Sequence, residues 1–142
     1  RRMWEKRYKI YNQWKMDWFD EYQRNGWFET KTGFRISGIM KKNDVINYPV
    51  QGSAFHCLLW SLIRLVHELK KCKMKTKVVG QIHDSIVADV HEDEYDDYMY
   101  LARRIMTRSI RKAWPWINTD LDIDAEATDV DEAWFYKKEV AI

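Results

Sequence analysis

The chain has 142 residues, a formal net charge of +2 at pH 7 and eight tryptophans. A net charge this small excludes binding to nucleic acid through uniform positive charge alone. Charge is nevertheless uneven, with the basic runs RRMWEKRYK and KKCKMKTK and the acidic run HEDEYDD. The longest apolar run, CLLWSLI, is far shorter than the ~20 residues of a membrane span, so we expect no membrane contact.

The cysteines indicate the cellular compartment of the protein, and the first residues bear on whether the sequence was cut from a longer chain. Cys57 and Cys72 lie outside any CxxC pair and have no histidine at zinc-ligand spacing, which indicates free thiols in a reducing compartment. No signal peptide is recognisable, so a cytoplasmic protein is expected. The sequence begins with Arg-Arg instead of Met, which indicates either a cut from a longer chain or a missing start residue.

Aromatic residues recur at three- or four-residue steps near the start and predict a helix from Trp4 to Tyr22. The spacing places six of them on one helix face: Trp4, Tyr8, Tyr11, Trp14, Trp18 and Tyr22. This face either packs against the rest of the protein or stacks on single-stranded bases. Asn25-Gly26 is predicted to end the helix, and WFETKTGFRIS predicts a hairpin that turns at Thr32-Gly33.

The middle of the chain contains a proline, Pro49, that disfavours a helical conformation at Tyr48 and favours a helix start. We therefore expect MKKNDVINYPV to be irregular and an amphipathic helix to run from Ser53 to Leu69. Its apolar stripe is predicted to comprise Phe55, Leu58, Leu59, Leu62, Val66 and Leu69.

Two β-rich runs follow in VVGQIHDSIVADV, residues 78–90, and meet at His83-Asp84, which predicts a hairpin with these residues at its tip. The next helix is predicted to begin at Asp93 as N-cap and to be closed by Pro115. TDLDIDAEA alternates acidic and apolar residues, which predicts a strand with one face in the core. The pattern as a whole predicts an α+β fold.

Two short segments carry candidate functional residues, and each also has an ordinary structural explanation. A hairpin tip can present the Asp84 carboxylate to a ligand, but aspartate also suits tight turns and His83 can simply pack beside it. Asn47 and Gln51 flank Pro49, and amides suit the acceptor atoms of a DNA minor groove because they both donate and accept hydrogen bonds. The same amides could equally cap a helix start.

The acidic segment DLDIDAE does not fit a calcium loop. Asp120, Asp122 and Asp124 would occupy positions 1, 3 and 5 of such a loop, but Ala125 stands where glycine is required and Asp131 where glutamate is expected. We therefore expect these acids on the solvent face of a strand and not at a metal.

In order along the chain, INYPVQGSA, a helix, QIHDSIVADV, a second helix and a tryptophan near the C-terminus resemble the closing part of family A DNA polymerases. This family comprises the bacterial DNA polymerase I type and its relatives in bacterial viruses. GWFETKTGFR resembles the hairpin that precedes the Asn/Gln segment in the family. The resemblance covers nearly the whole chain. It implies that residues 1–142 form the C-terminal part of a polymerase palm, with the end of the fingers, in a bacterial or phage-infected cell.

The resemblance implies catalytic roles for Asp84 and His83 and a DNA contact for Gln81. Asp84 matches the motif C aspartate, a ligand of the two catalytic Mg²⁺ ions. His83 matches the histidine beside the primer terminus, and Gln81 matches the motif C glutamine, a DNA contact. The implied reaction is template-directed deoxynucleotidyl transfer from deoxynucleoside triphosphates to a primer-template DNA.

The resemblance also implies DNA contacts upstream of the hairpin. Asn47 and Gln51 match residues that contact the minor groove of the newly made duplex. Arg35 matches a basic residue, after the turn of the first hairpin, that faces the DNA backbone.

Two departures from the family pattern bear on catalysis. Ser85 stands where the family commonly has glutamate, and His-Asp-Ser also occurs in single-subunit RNA polymerases, although NYPVQGSA follows the DNA polymerase pattern.

The sequence contains neither a DYSQ-like segment (motif A) nor RxxxKxxxFGxxYG (motif B). The resemblance therefore implies that a second polypeptide, or a missing part of this one, supplies the other carboxylate, the fingers and the thumb. The isolated chain is then expected to be inactive. The alternatives are an inert DNA-binding fragment and a purely structural one.

Overall fold

The computed structural model describes residues 2–141, and these form helices and three two-stranded antiparallel sheets. The predicted α+β class is confirmed. The chain divides into two units, one up to residue 56 and one from residue 57, and each is described by itself below. None of the helices in residues 2–141 is long and apolar enough to cross a membrane.

The N-terminal unit begins with two helices, α1 (Arg2–Arg7) and α2 (Lys9–Asn25), where the sequence predicts one. The interruption lies at Tyr8, whose φ of −115° and ψ of 59° are not helical. Helical hydrogen bonds nevertheless continue on both sides, because the Tyr8 N–H donates to the Trp4 carbonyl at 3.0 Å and Asn12 donates to Tyr8 at 3.0 Å. The predicted end is confirmed: Gly26 adopts φ 72° and its N–H donates to the Tyr22 carbonyl at 2.8 Å.

The predicted first hairpin is also confirmed, with strands β1 (Trp27–Glu29) and β2 (Arg35–Ser37) and a left-handed Gly33 in the turn. The core of this unit contains Tyr22, Phe28 and Val45, with Trp18 and Phe19 packed against it. Trp18 and Tyr22 are thus the members of the aromatic face that pack into the core.

Helix α3 (Lys42–Lys71) passes through Pro49, so the predicted irregular segment and the predicted helix start after it are wrong. Proline has no N–H to donate to the carbonyl four residues earlier, which belongs to Val45. The Trp18 indole Nε1–H donates to this carbonyl at 3.0 Å instead. A side chain from another helix therefore satisfies the acceptor that Pro49 leaves, and the helix continues.

The C-terminal unit packs the second half of α3 against a hairpin and a helix. The hairpin consists of β3 (Lys77–Ile82) and β4 (Ser85–Asp89), and the helix is α4 (Tyr95–Arg103). The core comprises Leu65, Leu69, Tyr98, Leu101, Ala102 and Ile105. Burial raises the pKa of the Tyr98 hydroxyl to about 12.

The predicted apolar stripe of α3 is only partly right. Leu58 and Leu69 are buried, but the Phe55 side chain is 47% exposed. Leu65, outside the predicted stripe, is fully buried, because the face in contact with the core is rotated from the predicted one.

Asp93 is not an N-cap, contrary to expectation. A 3₁₀ turn, Glu92–Glu94, precedes α4, and the His91 Nδ1 accepts the Asp93 N–H at 3.4 Å. After α4 the chain forms a π-helical segment, Arg104–Ser109, and then α5 (Ile110–Ala113). The helical region ends just before Pro115, as predicted.

The C-terminal strands are shorter than expected. TDLDIDAEA spans residues 119–127, but only β5 (Ala125–Ala127) is a hydrogen-bonded strand, paired with β6 (Lys138–Val140). Burial nevertheless alternates from residue 121 to residue 127, with the acidic side chains exposed. The predicted alternation is therefore right, although pairing reaches only the end of the segment.

Candidate functional site

The candidate active-site residues lie at the tip of the β3–β4 hairpin. The strands pair up to Ile82 and Ser85, which leaves His83 and Asp84 as a two-residue loop. His83 adopts φ 50°, a left-handed conformation that tight hairpin loops require. The predicted position of His83-Asp84 at a hairpin tip is confirmed.

The loop is braced from within and its base is anchored. The Gln81 side-chain amide donates to the His83 carbonyl at 3.2 Å, so the structure brings Gln81, His83 and Asp84 together. Below the tip, Val78, Ile86 and Ala88 pack against the core of the C-terminal unit, which contains Leu65. Because this packing holds the base of the hairpin in place, the loop residues His83 and Asp84 have a well-defined position.

Asp84 is exposed, as are His83 and Ser85 on either side. Within residues 2–141, the Asp84 carboxylate makes no hydrogen bond or ion pair. The exposed side chain is therefore available to a cation. No group of three or more His, Cys, Asp or Glu side chains suited to a metal occurs in the same described part of the chain.

Glu94, a carboxylate for which the sequence indicated no site role, binds the two residues that precede β3. It accepts the Lys75 N–H at 2.8 Å, the Thr76 N–H at 2.8 Å and the Thr76 hydroxyl at 2.6 Å. The hydrogen bond from the Thr76 hydroxyl, followed by those from the backbone, lowers the pKa of Glu94 to about 2. Glu94 therefore holds the far end of the candidate hairpin as a positioning residue.

Asn47 and Gln51 form a second group, in the N-terminal unit. Both lie on α3, four residues apart and hence on one face, and both are exposed. Pro49 lies between them inside the helix. Ser53, in the same motif, donates its hydroxyl to the Pro49 carbonyl at 2.6 Å, so this side chain is used within the helix.

Arg35 lies on β2 and is held by its neighbours on the first hairpin. Its guanidinium carbon lies 3.9 Å from the centroid of the Trp27 ring, and its Nη2 lies 3.8 Å from a Glu29 carboxylate oxygen. The side chain is exposed, so the predicted contact with a DNA backbone stays a prediction.

The acids of DLDIDAE pair with arginines on the solvent face. Asp120 accepts from Arg111 at 3.0 Å, and Asp122 lies 3.4 Å from Arg103. These ion pairs agree with the expectation that the segment faces solvent.

Comparison with known families identifies the chain. A family model described as DNA polymerase family A matches residues 3–130. The chain belongs to DNA polymerase family A. The match spans both units and includes Asn47, Gln51, His83 and Asp84, so the resemblance carried by NYPVQGSA and QIHDSIVADV is confirmed at the level of the family.

Individual relatives match shorter stretches of this chain. The DNA polymerase I of Lactococcus lactis subsp. cremoris is 34% identical over 82 residues, which are 58% of this chain and 9% of the relative. That of Aquifex aeolicus is 25% identical over 92 residues, 65% of this chain and 15% of the relative. The DNA polymerase of Bacillus phage SP01 is 31% identical over 65 residues, 46% of this chain and 7% of the relative.

A solved structure has the same fold over most of this chain. It is the polymerase domain of Pol1 from M. smegmatis, in complex with DNA primer-template and dNTP. The TM-score is 0.65, the sequence identity is 21%, and the match covers 74% of this chain and 20% of the neighbour. The chain is therefore part of a family A polymerase domain, and it spans a small fraction of the relatives it matches.

Proposed function

We propose that this chain is the part of a family A DNA polymerase that carries motif C, and that it acts in template-directed deoxynucleotidyl transfer. The observation that carries the proposal is the exposed Asp84 at a two-residue hairpin tip, within a chain that belongs to this family. A stiff tip with an available carboxylate suits a residue that must bind a cation beside a substrate.

The chemistry of the tip fits a Mg²⁺ ligand. Mg²⁺ prefers oxygen ligands and is commonly bound through one or two carboxylates together with substrate phosphates. Asp84 offers such a carboxylate, with its oxygens unpaired within the described residues 2–141. When bound, two Mg²⁺ ions stabilise the attacking and leaving oxygens of an in-line phosphoryl transfer.

The neighbours of Asp84 have supporting roles in this proposal. His83 is assigned to the primer terminus, where its exposed imidazole can donate a hydrogen bond to the sugar-phosphate. Gln81 is assigned a contact with the DNA and a second role in holding the loop, since its amide donates to the His83 carbonyl. Ser85 carries a neutral hydroxyl where the family commonly has glutamate, so it is given no metal-binding role.

Asn47, Gln51 and Arg35 are assigned to the DNA. Two exposed amides one helical turn apart can reach the purine N3 and pyrimidine O2 acceptors of consecutive base pairs, which every sequence presents in the minor groove. Such contacts suit an enzyme that must hold duplexes of any sequence. Arg35 can contact a phosphate from the Trp27 side of the first hairpin, although it would compete with Glu29.

The second carboxylate is assigned to a polypeptide segment outside this sequence. Two-metal catalysis needs at least two acidic ligands. The sequence contains no DYSQ-like segment to supply one and no RxxxKxxxFGxxYG helix to hold a nucleotide. A second polypeptide that carries these motifs, with fingers and thumb, would complete the enzyme.

Primer extension tests this proposal. The purified 142-residue chain, with Mg²⁺, four deoxynucleotides and a primer-template, is expected to add no nucleotide. Addition of a polypeptide that carries motifs A and B from the same source is expected to produce extension. Extension by the chain alone would contradict the shared active site. A complex that binds primer-template but never extends it would favour an inert DNA-binding fragment.

A further inference from the structure

The aromatic face of the first two helices is only partly used by the core. Trp18 and Tyr22 pack inward, whereas four residues stay between 37% and 57% exposed and form what we call the aromatic ladder: Trp4, Tyr8, Tyr11 and Trp14. Ring centroids lie 4.2 Å apart in Trp4–Tyr8 and 5.7 Å apart in Tyr11–Trp14. The sequence alone left open whether this face packs or stacks on bases, and the structure shows that Trp18 and Tyr22 pack while the other four rings stay partly exposed.

The ladder is rigidly supported at one end. The Trp14 ring stacks on Trp18 with a centroid distance of 6.1 Å and an interplanar angle of 24°. Trp18 is fixed in turn by its hydrogen bond to the Val45 carbonyl and by contact with the Phe28 ring at 5.7 Å. Because these rings are already ordered, a ligand that stacks on them loses little side-chain entropy of the protein.

Charge indicates what kind of ligand fits the ladder. The first sixteen residues contain six basic residues and one acidic residue, Glu5. Two of the cations lie over ladder rings: the Arg7 guanidinium carbon is 5.8 Å from the Tyr8 centroid, and the Lys15 Nζ is 4.8 Å from the Tyr11 centroid. An apolar protein surface placed here would desolvate both cations without a partner, whereas phosphates would neutralise them.

We propose that the aromatic ladder binds single-stranded DNA, with bases stacked on the exposed rings and phosphates near Arg7 and Lys15. Aromatic rings interleaved with cations are the usual elements of such sites, because every base has a face that can stack. At 1.5 Å of rise per residue, Trp4 to Trp14 spans ~15 Å, which matches about four nucleotides at ~3.4 Å each. The site needs no metal and does not depend on the catalytic role proposed for Asp84.

Binding of a fluorescein-labelled oligodeoxythymidylate of about twelve nucleotides to the full chain tests the ladder. Fluorescence anisotropy in EDTA excludes any contribution of a metal site, so the result is separable from the polymerase proposal. Tyr11→Leu is expected to weaken binding roughly 5- to 150-fold, the effect of losing one base–ring stack. Tyr11→Phe keeps the ring and is expected to bind like the wild type.

Tyr100 provides a matched control. It is a 63% exposed tyrosine on α4, with the Arg104 guanidinium carbon 5.7 Å from its ring, but it lies outside the ladder. Tyr100→Leu is expected to bind the oligonucleotide like the wild type. Equal weakening by Tyr100→Leu and Tyr11→Leu would show nonspecific binding and overturn the proposal.

Salt dependence tests the phosphate contacts separately. Arg7→Gln and Lys15→Gln are each expected to reduce the slope of log K against log salt concentration by about 0.7. Wild-type affinity and slope in Tyr11→Leu, Arg7→Gln and Lys15→Gln alike would overturn the proposal. So would a ladder variant that retains the oligonucleotide but loses a bound polypeptide, because the face would then be a protein interface. Far-ultraviolet circular dichroism equal to that of the wild type shows that each variant is folded.

Discussion

Asp84 and Ser85 are consecutive exposed residues at one hairpin tip, but only Asp84 carries a charge that can balance a dication. In the assembled polymerase, Asp84→Asn is expected to slow single-turnover primer extension by ~10³ or more, equivalent to about 4 kcal/mol of transition-state stabilisation. Ser85→Ala is expected to cost about tenfold or less, because a neutral hydroxyl can only orient a neighbouring group. Equal losses in the two variants would contradict the metal-ligand role of Asp84.

The two amides of α3 are expected to act on DNA affinity. Asn47→Ala or Gln51→Ala should weaken binding of the assembled enzyme to duplex primer-template by ~1–3 kcal/mol for each lost groove contact. The readout is the dissociation constant measured by anisotropy at fixed salt. Gln23, an exposed amide on α2, gives the control, and Gln23→Ala should bind normally. Wild-type affinity in both α3 variants would remove the support for a groove contact.

Glu94 makes the stability of the C-terminal unit depend on pH. Its pKa is lowered from 4.5 to about 2 in the folded chain, so its contribution is fully present above pH 4.5 and is lost as the pH falls through 2. Glu94→Gln should therefore lower the urea midpoint at neutral pH, with a difference from the wild type that shrinks between pH 4.5 and 2. Glu92→Gln, on the same turn, is the matched control. A difference that is independent of pH would contradict the ionic origin.

At the scale of elements, α3 depends on the hydrogen bond that replaces the one lost at Pro49. Trp18→Phe removes the donor and leaves the buried Val45 carbonyl without a partner, which should destabilise the fold by ~1–3 kcal/mol in urea unfolding. Pro49→Ala restores an N–H four residues after Val45. The double variant Trp18→Phe/Pro49→Ala should recover part of the loss, and a double variant as unstable as Trp18→Phe alone would contradict this mechanism.

Local sequence patterns predict correctly the elements that are stabilised by residues close together in the sequence. Two β-rich runs that meet at His83-Asp84 are sufficient to predict the candidate hairpin, and Asn25-Gly26 is sufficient to predict the end of α2. The helical path through Pro49 depends instead on Trp18, whose bond to Val45 crosses 27 residues. Asp93 fails as a cap for a similar reason, since the turn is held by Glu94 bonded to Thr76, 18 residues away.

Prediction of the candidate site has the same limit, because long-range contacts cannot be read from short motifs. Sequence motifs were enough to propose Asp84, His83, Asn47 and Gln51 as site residues, because each lies in a short run of characteristic residues. Glu94 was missed because its function is to fasten Lys75 and Thr76, and no local pattern indicates that pairing.

At the scale of the whole molecule, both units expose large apolar side chains. Outside the aromatic ladder these include Ile39 in the N-terminal unit and Val130 and Phe135 in the C-terminal unit. Exposed apolar side chains are the kind of surface that a polypeptide completing the enzyme, as proposed above, would cover.

This surface predicts a measurable dependence on the partner. The chain alone should bind the dye ANS and should melt at a higher temperature when the polypeptide with motifs A and B is added, because that polypeptide would bind only the folded chain. An unrelated protein at equal concentration serves as the control. An isolated chain that binds no dye and keeps its melting temperature in the presence of the partner would contradict an interface at these apolar side chains.

The π-helical segment Arg104–Ser109 has a consequence for changes in chain length. The Ile110 N–H donates to the Ile105 carbonyl, five residues earlier, so these two isoleucines lie one turn apart and both are 1% exposed. In an α-helix, neighbours on one face are instead three or four residues apart. Loss of one residue between them, such as the exposed Arg108, would leave a regular α-helix with both isoleucines still in the core. A single-residue deletion would thus be tolerated here, whereas the same deletion within α4 would rotate Leu101 and Tyr98 away from each other.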